Sequence, residues 1–526
     1  MLRPLLAALA ALLLFNIAVA PALADDDQDS TAASDKKDSE DDKIDAATAR
    51  APIQDQTVVT SHTVTVRGQP LSYKATAGTL TIRDEDGKPT ASLFYVAYTL
   101  DAGKAGLAHR PVTFLYNGGP GSSSLWLHMG SIGPMRLRTA SPDATGPAPY
   151  SFAPNDDTLL DKTDLVFIDA LGTGYSRPLG KTDPKTFWGV DQDADTFAKA
   201  IVRYVTLNGR ANSPKFLFGE SYGTTRSAAL SYVLHQRGVD LNGVILLSSW
   251  LNTVVNDPGF DLNYVEYLPS YAAAAWYHDR IANKPADLAG FLAQARAFAQ
   301  GPYAQALDKG QDISPAEFDA VAAQVAAYTG LSVDYVKRAK LRVGLDRFRK
   351  ELLRDQGKVI GRFDARFLGV DQDTAGEAPS FDPSDTGVSG AFIAAAGAYL
   401  TDDLKYKTDL EYRPEWDKAN DDWDFRHTLI NANGQKSNEA AVNLDLAQTM
   451  RENPHMKVLS LNGWFDLATP FFETEYDLGH MMLDAPIRSN LSFRYYPSGH
   501  MVYLNPEALK QLHADVAAFI DEAAPQ

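Results

Sequence analysis

One serine, one aspartate and one histidine stand in local contexts that could build an acyl-transfer centre. Gly219-Glu220-Ser221-Tyr222-Gly223 directly follows the apolar run Phe216-Leu217-Phe218 and precedes a helical pattern from Thr224 to His235. A bare Gly-x-Ser-x-Gly arises by chance in about one chain of this length in six or seven, at a glycine frequency of about 7%. A match at a strand-to-helix junction is much rarer. There the flanking glycines allow the sharp turn that lifts a serine hydroxyl above the strand ends. A glycine-rich turn without chemistry is the plain alternative.

A serine hydroxyl is a weak nucleophile at neutral pH and needs a base beside it. Of the ten histidines, His500 lies in the turn Pro497-Ser498-Gly499-His500, just after a strand-like run. His235, His480 and His513 sit in helical patterns and read as surface or packing residues. The base needs a carboxylate that fixes its tautomer and stabilises the imidazolium. Asp466 follows Val458 to Leu461 through the turn Asn462-Gly463-Trp464-Phe465. Asp169 also ends a strand-like run but precedes the serine. The order Ser221, Asp466, His500 is that of α/β-hydrolases.

The developing oxyanion needs N–H donors. Tyr222, next after the serine, offers one, and the loop Asn117-Gly118-Gly119-Pro120-Gly121-Ser122-Ser123-Ser124 offers another. A phosphate-binding loop is the rival reading, but the Gly-Lys-Ser/Thr ending is missing.

The elements that must position these groups are short, continuous runs of β-formers. They are Val112 to Tyr116, Leu165 to Ile168, Phe216 to Phe218, Val244 to Leu247, Val458 to Leu461 and Phe493 to Tyr496. Most are followed by turn residues and a helical pattern. Such runs imply strands buried on both faces, hence a mostly parallel central sheet flanked by helices, the α/β-hydrolase architecture. Before them, Val58 to Val66 alternates apolar and polar residues, and Asp86-Gly87 separates the runs Gly78 to Arg83 and Ser92 to Leu100. These predict an antiparallel edge.

Between about Asn252 and Pro454 the strand pattern lapses. Pro315 to Tyr328 and Val333 to Leu353 have helical spacing, with Ser314 and Ser332 as N-caps and Glu317 placed to complete a capping box. The chain therefore divides into a core at 57–251, a large, mainly helical insertion or cap at 252–454 and a second core part at 455–526. Asp371, Asp373, Asp382 and Asp385 could suggest calcium, but they lack ordered ligand spacing and read as solvated acidic loops. No metal or other cofactor is expected.

The first 24 residues read as a signal peptide. Arg3 supplies a positive end, Leu5 to Ala20 an apolar stretch, and Ala22-Leu23-Ala24 a cleavage site before Asp25. A membrane anchor is disfavoured, because the run is short for a spanning helix. Residues 25–56 read as a disordered linker. Ten acids against four bases between Asp25 and Arg50 leave too little apolar mass to offset ordering entropy. The chain is expected to be periplasmic or secreted, with no stable anchor after cleavage. Its 526 residues contain no cysteine, which excludes disulfides and thiolate chemistry. A net charge of −18 argues against a nucleic-acid partner.

Several ordered blocks resemble the serine carboxypeptidase family. They are Asn117-Gly118-Gly119-Pro120-Gly121, with Gly133-Pro134 downstream, Asp169 to Ser176, Gly219 to Gly223, Asp466 and Gly499-His500-Met501-Val502. The insertion resembles that of bacterial members. The resemblance implies an exopeptidase that releases C-terminal residues of peptides through an acyl-enzyme. It implies that Gly119 and Tyr222 supply the oxyanion N–H groups and that Asn117 and Glu220 hydrogen-bond the substrate's terminal carboxylate. Glu220 can do so only when protonated, since two carboxylates at close range repel. The family usually places a second glutamate two residues before Gly-Pro, where this chain has Ser131, and a cysteine where it has Ser122. Glu220 is therefore expected to titrate alone, with activity extending toward neutrality. An esterase or acyltransferase on the same triad is the alternative, because a triad does not fix the acyl acceptor; a non-enzymatic binding protein of the same fold is the third. Specificity pockets are expected near the insertion and the loops of Trp250 and Trp464.

Overall fold

A computed structural model describes residues 50–100, 106, 109–256 and 259–524. The expected signal peptide and most of the expected linker lie outside the described residues. Nine strands build the main sheet: β1 (Thr57–Val66), β2 (Gln69–Arg83), β3 (Pro89–Leu100), β4 (Val112–Tyr116), β5 (Asp164–Ile168), β6 (Lys215–Ser221), β7 (Gly243–Ser249), β8 (Lys457–Gly463) and β9 (Leu491–Tyr496). Their order is β1-β2-β3-β5-β4-β6-β7-β8-β9, and the short strand Arg177–Pro178 pairs beside β3. From β5 to β9 every neighbour is parallel, while β1, β2 and β3 form the antiparallel edge. This is an α/β-hydrolase sheet.

The apolar runs are continuous because alternate residues enter two different cores. Leu115, Phe216, Phe218, Ile245, Leu247, Leu459 and Leu461 face one side, packed with Leu509, Leu512, Val516 and Ile520. Those four belong to the C-terminal helix Pro506–Ala523. Phe114, Tyr116, Leu217, Val244, Leu246 and Val458 face the other. That side is covered by α1 (Val190–Leu207), α2 (Tyr222–Gln236) and the helix Asn443–Glu452. Fully burying a Leu, Ile, Val or Phe contributes about 1.5–3 kcal/mol, so both faces hold the sheet.

Residues 51–56, assigned from sequence to the linker, pack on the sheet. Ala51 is buried, Asp55 Oδ1 accepts the Thr81 N–H at 2.7 Å, and Asp55 pairs with Arg203. One local carboxylate, satisfied by β2 and α1, outweighs the acidic composition of its surroundings.

Residues between Val265 and Ala365, joined by Phe465, Leu467, Phe471 and Phe472, form a third apolar cluster with helices α3 (Leu262–Tyr277), α4 (Leu288–Phe298) and α5 (Pro315–Thr329) at its heart, whereas Val388, Phe392 and Ala396 pack into the first cluster. Ser314 caps α5, accepting the Glu317 N–H at 3.3 Å. The Glu317 carboxylate does not close a capping box; it accepts from Lys309 Nζ at 2.6 Å. The stretch 333–353, with its helical spacing, holds two short helices, Val333–Arg338 and Leu345–Glu351. Lys340 and Leu341 take positive φ between them, so the apolar spacing continues while the backbone turns.

Candidate active site

The groups singled out in the sequence converge at the carboxyl ends of the parallel strands. Ser221 ends β6 with φ 61° and ψ −132°, a conformation that non-glycine residues rarely adopt. The turn is tight enough that a Cβ on Gly219 would sit 2.0 Å from the Gly223 carbonyl oxygen. Between β6 and β7 the register shifts after Leu247, and Ser248 takes φ 52°. The Ser248 hydroxyl then donates to the His500 carbonyl at 2.7 Å.

Asp466 follows β8 and His500 follows β9, and the two side chains meet. His500 Nδ1 lies 2.8 Å from Asp466 Oδ2. Asp466 Oδ1 accepts the N–H groups of Ala468 and Thr469 at 2.7 and 3.0 Å, and the Thr469 hydroxyl donates to Oδ2 at 2.8 Å. With Nδ1 engaged, Nε2 is the imidazole nitrogen left for the cavity. The His500 backbone N–H is anchored to the Phe363 carbonyl at 2.6 Å. Burial alone would lower the imidazole pKa. The charge and hydrogen bond of Asp466, joined by the charge of Glu220, outweigh it and hold His500 above the ordinary histidine value.

Asp169, the competing carboxylate, lies elsewhere. Its Oδ1 accepts the Ser124 N–H at 2.9 Å, and the Ser124 hydroxyl donates to the Ile168 carbonyl. It thereby ties the loop after β4 to the end of β5. His235, His480 and His513 are also remote: His235 pairs with Asp240, His480 bonds the Tyr476 carbonyl, and His513 is bonded by Arg67.

The loop after β4 lies against the start of α2. A Cβ on Gly118 would come 2.4 Å from the Tyr222 nitrogen, so only glycine allows this approach. The Arg226 guanidinium, buried against Tyr116, Phe197 and Tyr222, donates to the Asn117 carbonyl at 2.7 Å and pairs with Asp193 at 2.6 Å. Sequence reasoning missed Arg226, which carries no motif. Asn117 Oδ1 accepts the Leu127 N–H at 2.9 Å, which turns its amide nitrogen toward Glu220.

Glu220 is buried, and burial pushes its carboxyl up to about 7. The charge of His500 and hydrogen bonds from Tyr503 and Asn117 oppose that rise. Ser131 takes no part: its hydroxyl donates to the Leu127 carbonyl at 2.5 Å.

A cavity of about 250 Å³ opens over these groups. Asn117, Gly119, Glu220, Ser221 and His500 line it, with Trp126 and Trp250 as aromatic walls and Arg362, Phe363, Tyr267, Glu473, Asp385 and Glu415 around them. Trp464, expected near a specificity pocket, is instead stacked on Tyr495 at 4.4 Å. Of the four aspartates read as solvated loop acids, Asp373 is exposed in its loop as expected, and the other three are more engaged. Asp371 pairs with Lys350 among buried side chains, Asp382 accepts the Ser384 N–H as a helix cap at 3.0 Å, and Asp385 reaches the cavity. Tyr503, Thr469 and Glu473 went unnoticed in the sequence because no local pattern marks them.

The serine carboxypeptidase family model matches residues 66–338. The chain is 29% identical over 150 residues to serine carboxypeptidase-like 51 of Arabidopsis thaliana, covering 27% of this chain and 30% of that one. It is 28% identical over 202 residues to the pheromone-processing carboxypeptidase kex1 of Schizosaccharomyces pombe, covering 38% and 36%. It thus spans about a third of the length of these curated relatives. Among solved structures, the proline iminopeptidase of Mycobacterium smegmatis is 14% identical, with a TM-score of 0.31 over 88% of this chain and 99% of that one. A carboxyl esterase from Bacillus coagulans is 12% identical, with a TM-score of 0.34 over 85% and 98%. On a family match that takes in more than half of its residues, the chain belongs to the serine carboxypeptidase family.

Proposed function

We propose that this protein is a serine-type carboxypeptidase that removes C-terminal residues from peptides through an acyl-enzyme. The observation that carries the reading is the buried Asp466–His500 pair lining one cavity with Ser221, Asn117 and Glu220. Ser221 Oγ attacks the carbonyl carbon of the last peptide bond as His500 Nε2 takes its proton. The N–H groups of Gly119 and Tyr222 hold the oxyanion. The C–N bond then breaks, His500 returns the proton to the leaving amine, and a water molecule hydrolyses the ester by the same steps. Asp466 orients the imidazole and stabilises its charged form. Asn117 and protonated Glu220 donate to the terminal carboxylate of the substrate, which makes the enzyme an exopeptidase.

We propose also that the chain is exported to the periplasm or beyond, on the strength of its first 24 residues. Among the described residues, no helix is long and apolar enough to cross a membrane.

One comparison tests the activity. A blocked peptide with a free C-terminal carboxylate is offered beside its C-terminal amide and a matching ester. Strong preference for the free acid supports the carboxypeptidase. Turnover of the ester alone favours an esterase or acyltransferase. No turnover of any, with no labelling of Ser221 by a fluorophosphonate, leaves a binding protein of this fold.

A further inference from the structure

Helix α6 (Phe471–Gly479) begins five residues after Asp466 and carries Glu473 and Asp477 one turn apart, on one face. Glu266, on α3, packs against that face, and its charge acts on Glu473. All three carboxyls are buried, at 1%, 3% and 1% exposure for Glu266, Glu473 and Asp477. Among the described residues, neither oxygen of Glu266 nor Oε1 of Glu473 has a hydrogen-bond partner. Asn252 is the group that favours the charged form of Asp477. Among the described residues, no cation is found among the groups that act on the three. Burying unpartnered acids is costly, and natural interiors keep few of them.

Glu473 is also a wall of the catalytic cavity, with Ser221, Thr469 and Tyr267. Its place relative to the scissile bond follows from the sheet. Asn117 follows β4, on one side of Ser221, and Asp466 follows β8, on the other. Glu473 belongs to the second side, where its neighbour Thr474 donates to the Ser249 carbonyl, at the end of β7, at 3.4 Å. The terminal carboxylate, held by Asn117 and Glu220, places the leaving residue on the first side. The second side therefore receives the residue that becomes the acyl group.

We infer that Glu473, backed by Glu266 and Asp477, forms a subsite for a cationic side chain, lysine or arginine, on the acyl side of the scissile bond. The inference rests on the carboxypeptidase reading. An ammonium brings three N–H donors and a guanidinium five, enough to satisfy the unpartnered oxygens. Arriving through the cavity, the cation also supplies the charge that the cluster lacks. Burial raises the empty acids, Asp477 to about 8 and Glu266, with the charge of Asp477 added, to about 9, so a docking cation displaces a proton. Asp466 adds its negative charge to the same field. Arg362, exposed on the cavity wall, acts on Tyr267 and His500 rather than on the three acids.

Blocked dipeptides with phenylalanine last and lysine, arginine, norleucine or glutamate before it test the assignment. Lysine and arginine are expected to exceed norleucine in kcat/KM by about tenfold or more, and glutamate to fall below it. Glu473→Gln should bring the lysine-to-norleucine ratio toward one. The ratio within one preparation cancels any loss of folded enzyme, and Glu266→Gln reads the same ratio if Glu473→Gln is not recovered. A wild-type ratio of one overturns the subsite and leaves the carboxypeptidase standing. A lysine preference that follows the leaving residue when the order is reversed overturns its placement. No release of phenylalanine from any peptide, with Ser221 still labelled by a fluorophosphonate, overturns the carboxypeptidase and the subsite together.

Discussion

The Tyr503 hydroxyl lies 3.0 Å from Glu220 Oε2 and 3.2 Å from Oε1. A phenol, not a second carboxyl, is thus the partner of the glutamate next to Ser221. A phenol gives up its proton only far above neutrality, and burial beside Glu220 raises Tyr503 further. Glu220 therefore has no acid with which to share a proton, and it titrates by its own surroundings.

The first prediction concerns KM. Glu220 can donate to a substrate carboxylate while protonated, and its carboxyl is held at about 7. As pH rises through that value the donor is lost and a like charge appears. KM for a free-acid peptide should rise about tenfold for each further pH unit, while KM for the matching ester stays level. Parallel KM profiles for acid and ester would remove Glu220 from carboxylate recognition.

Tyr503→Phe tests the phenol itself. Its O–H donates to the charged form of Glu220 and so lowers the carboxyl pKa against the rise from burial. Without it the KM limb should move to higher pH, by about half a unit to one unit for a hydrogen bond worth about 1 kcal/mol. A limb that stays put or moves down would contradict this geometry.

Gly118→Ala tests the approach of the loop after β4 to Tyr222. The added methyl would meet the Tyr222 nitrogen at 2.4 Å and the Gly223 nitrogen at 2.7 Å, both backbone atoms that cannot swing aside. The loop must then retreat from the N–H groups proposed to hold the oxyanion. A loss of about 100-fold or more in kcat is expected, as for removing one oxyanion donor. Thermal unfolding should show the variant folded, which separates misplacement from collapse. Wild-type kcat in Gly118→Ala would show that the loop does not supply a donor.

How much of this was legible in the sequence depends on how local each signal is. Ser221 announces itself because its turn needs glycines two residues to either side. Phe216 to Phe218 and Val244 to Leu247 reveal a doubly covered sheet because both faces of each strand are buried. The long-range partners leave no such trace. Tyr503 reaches Glu220 across 283 positions, and Arg226 reaches the Asn117 carbonyl across 109. Glu473 looks like any acid in the first turn of a helix until α3 closes over it. The helical spacing of 333–353 does not show the break inside it, because spacing records burial and not the turn at Lys340 and Leu341. Asp55 was hidden by its neighbours, since composition averages over the residue that makes the contact.

The last prediction is a stability profile set by the buried acids. Glu220, Asp477 and Glu266 are raised to about 7, 8 and 9 in the folded chain, first by burial. Unfolded, such groups lose their protons above about pH 4. The folded chain therefore binds more protons than the unfolded chain between those limits. The stability they contribute is full below about pH 4 and is lost as pH climbs through 7, 8 and 9. Tm should fall by about 5 °C or more between about pH 6 and about pH 9, with the steepest fall below about pH 7, where all three groups still hold their protons in the folded chain, and a levelling above about pH 9. Glu266→Gln removes one titrating group and the repulsion it exerts on Glu473, so its Tm should fall less over the same range. A Tm that is level with pH, or a slope unchanged in Glu266→Gln, would mean that these carboxyls ionise freely in the folded chain.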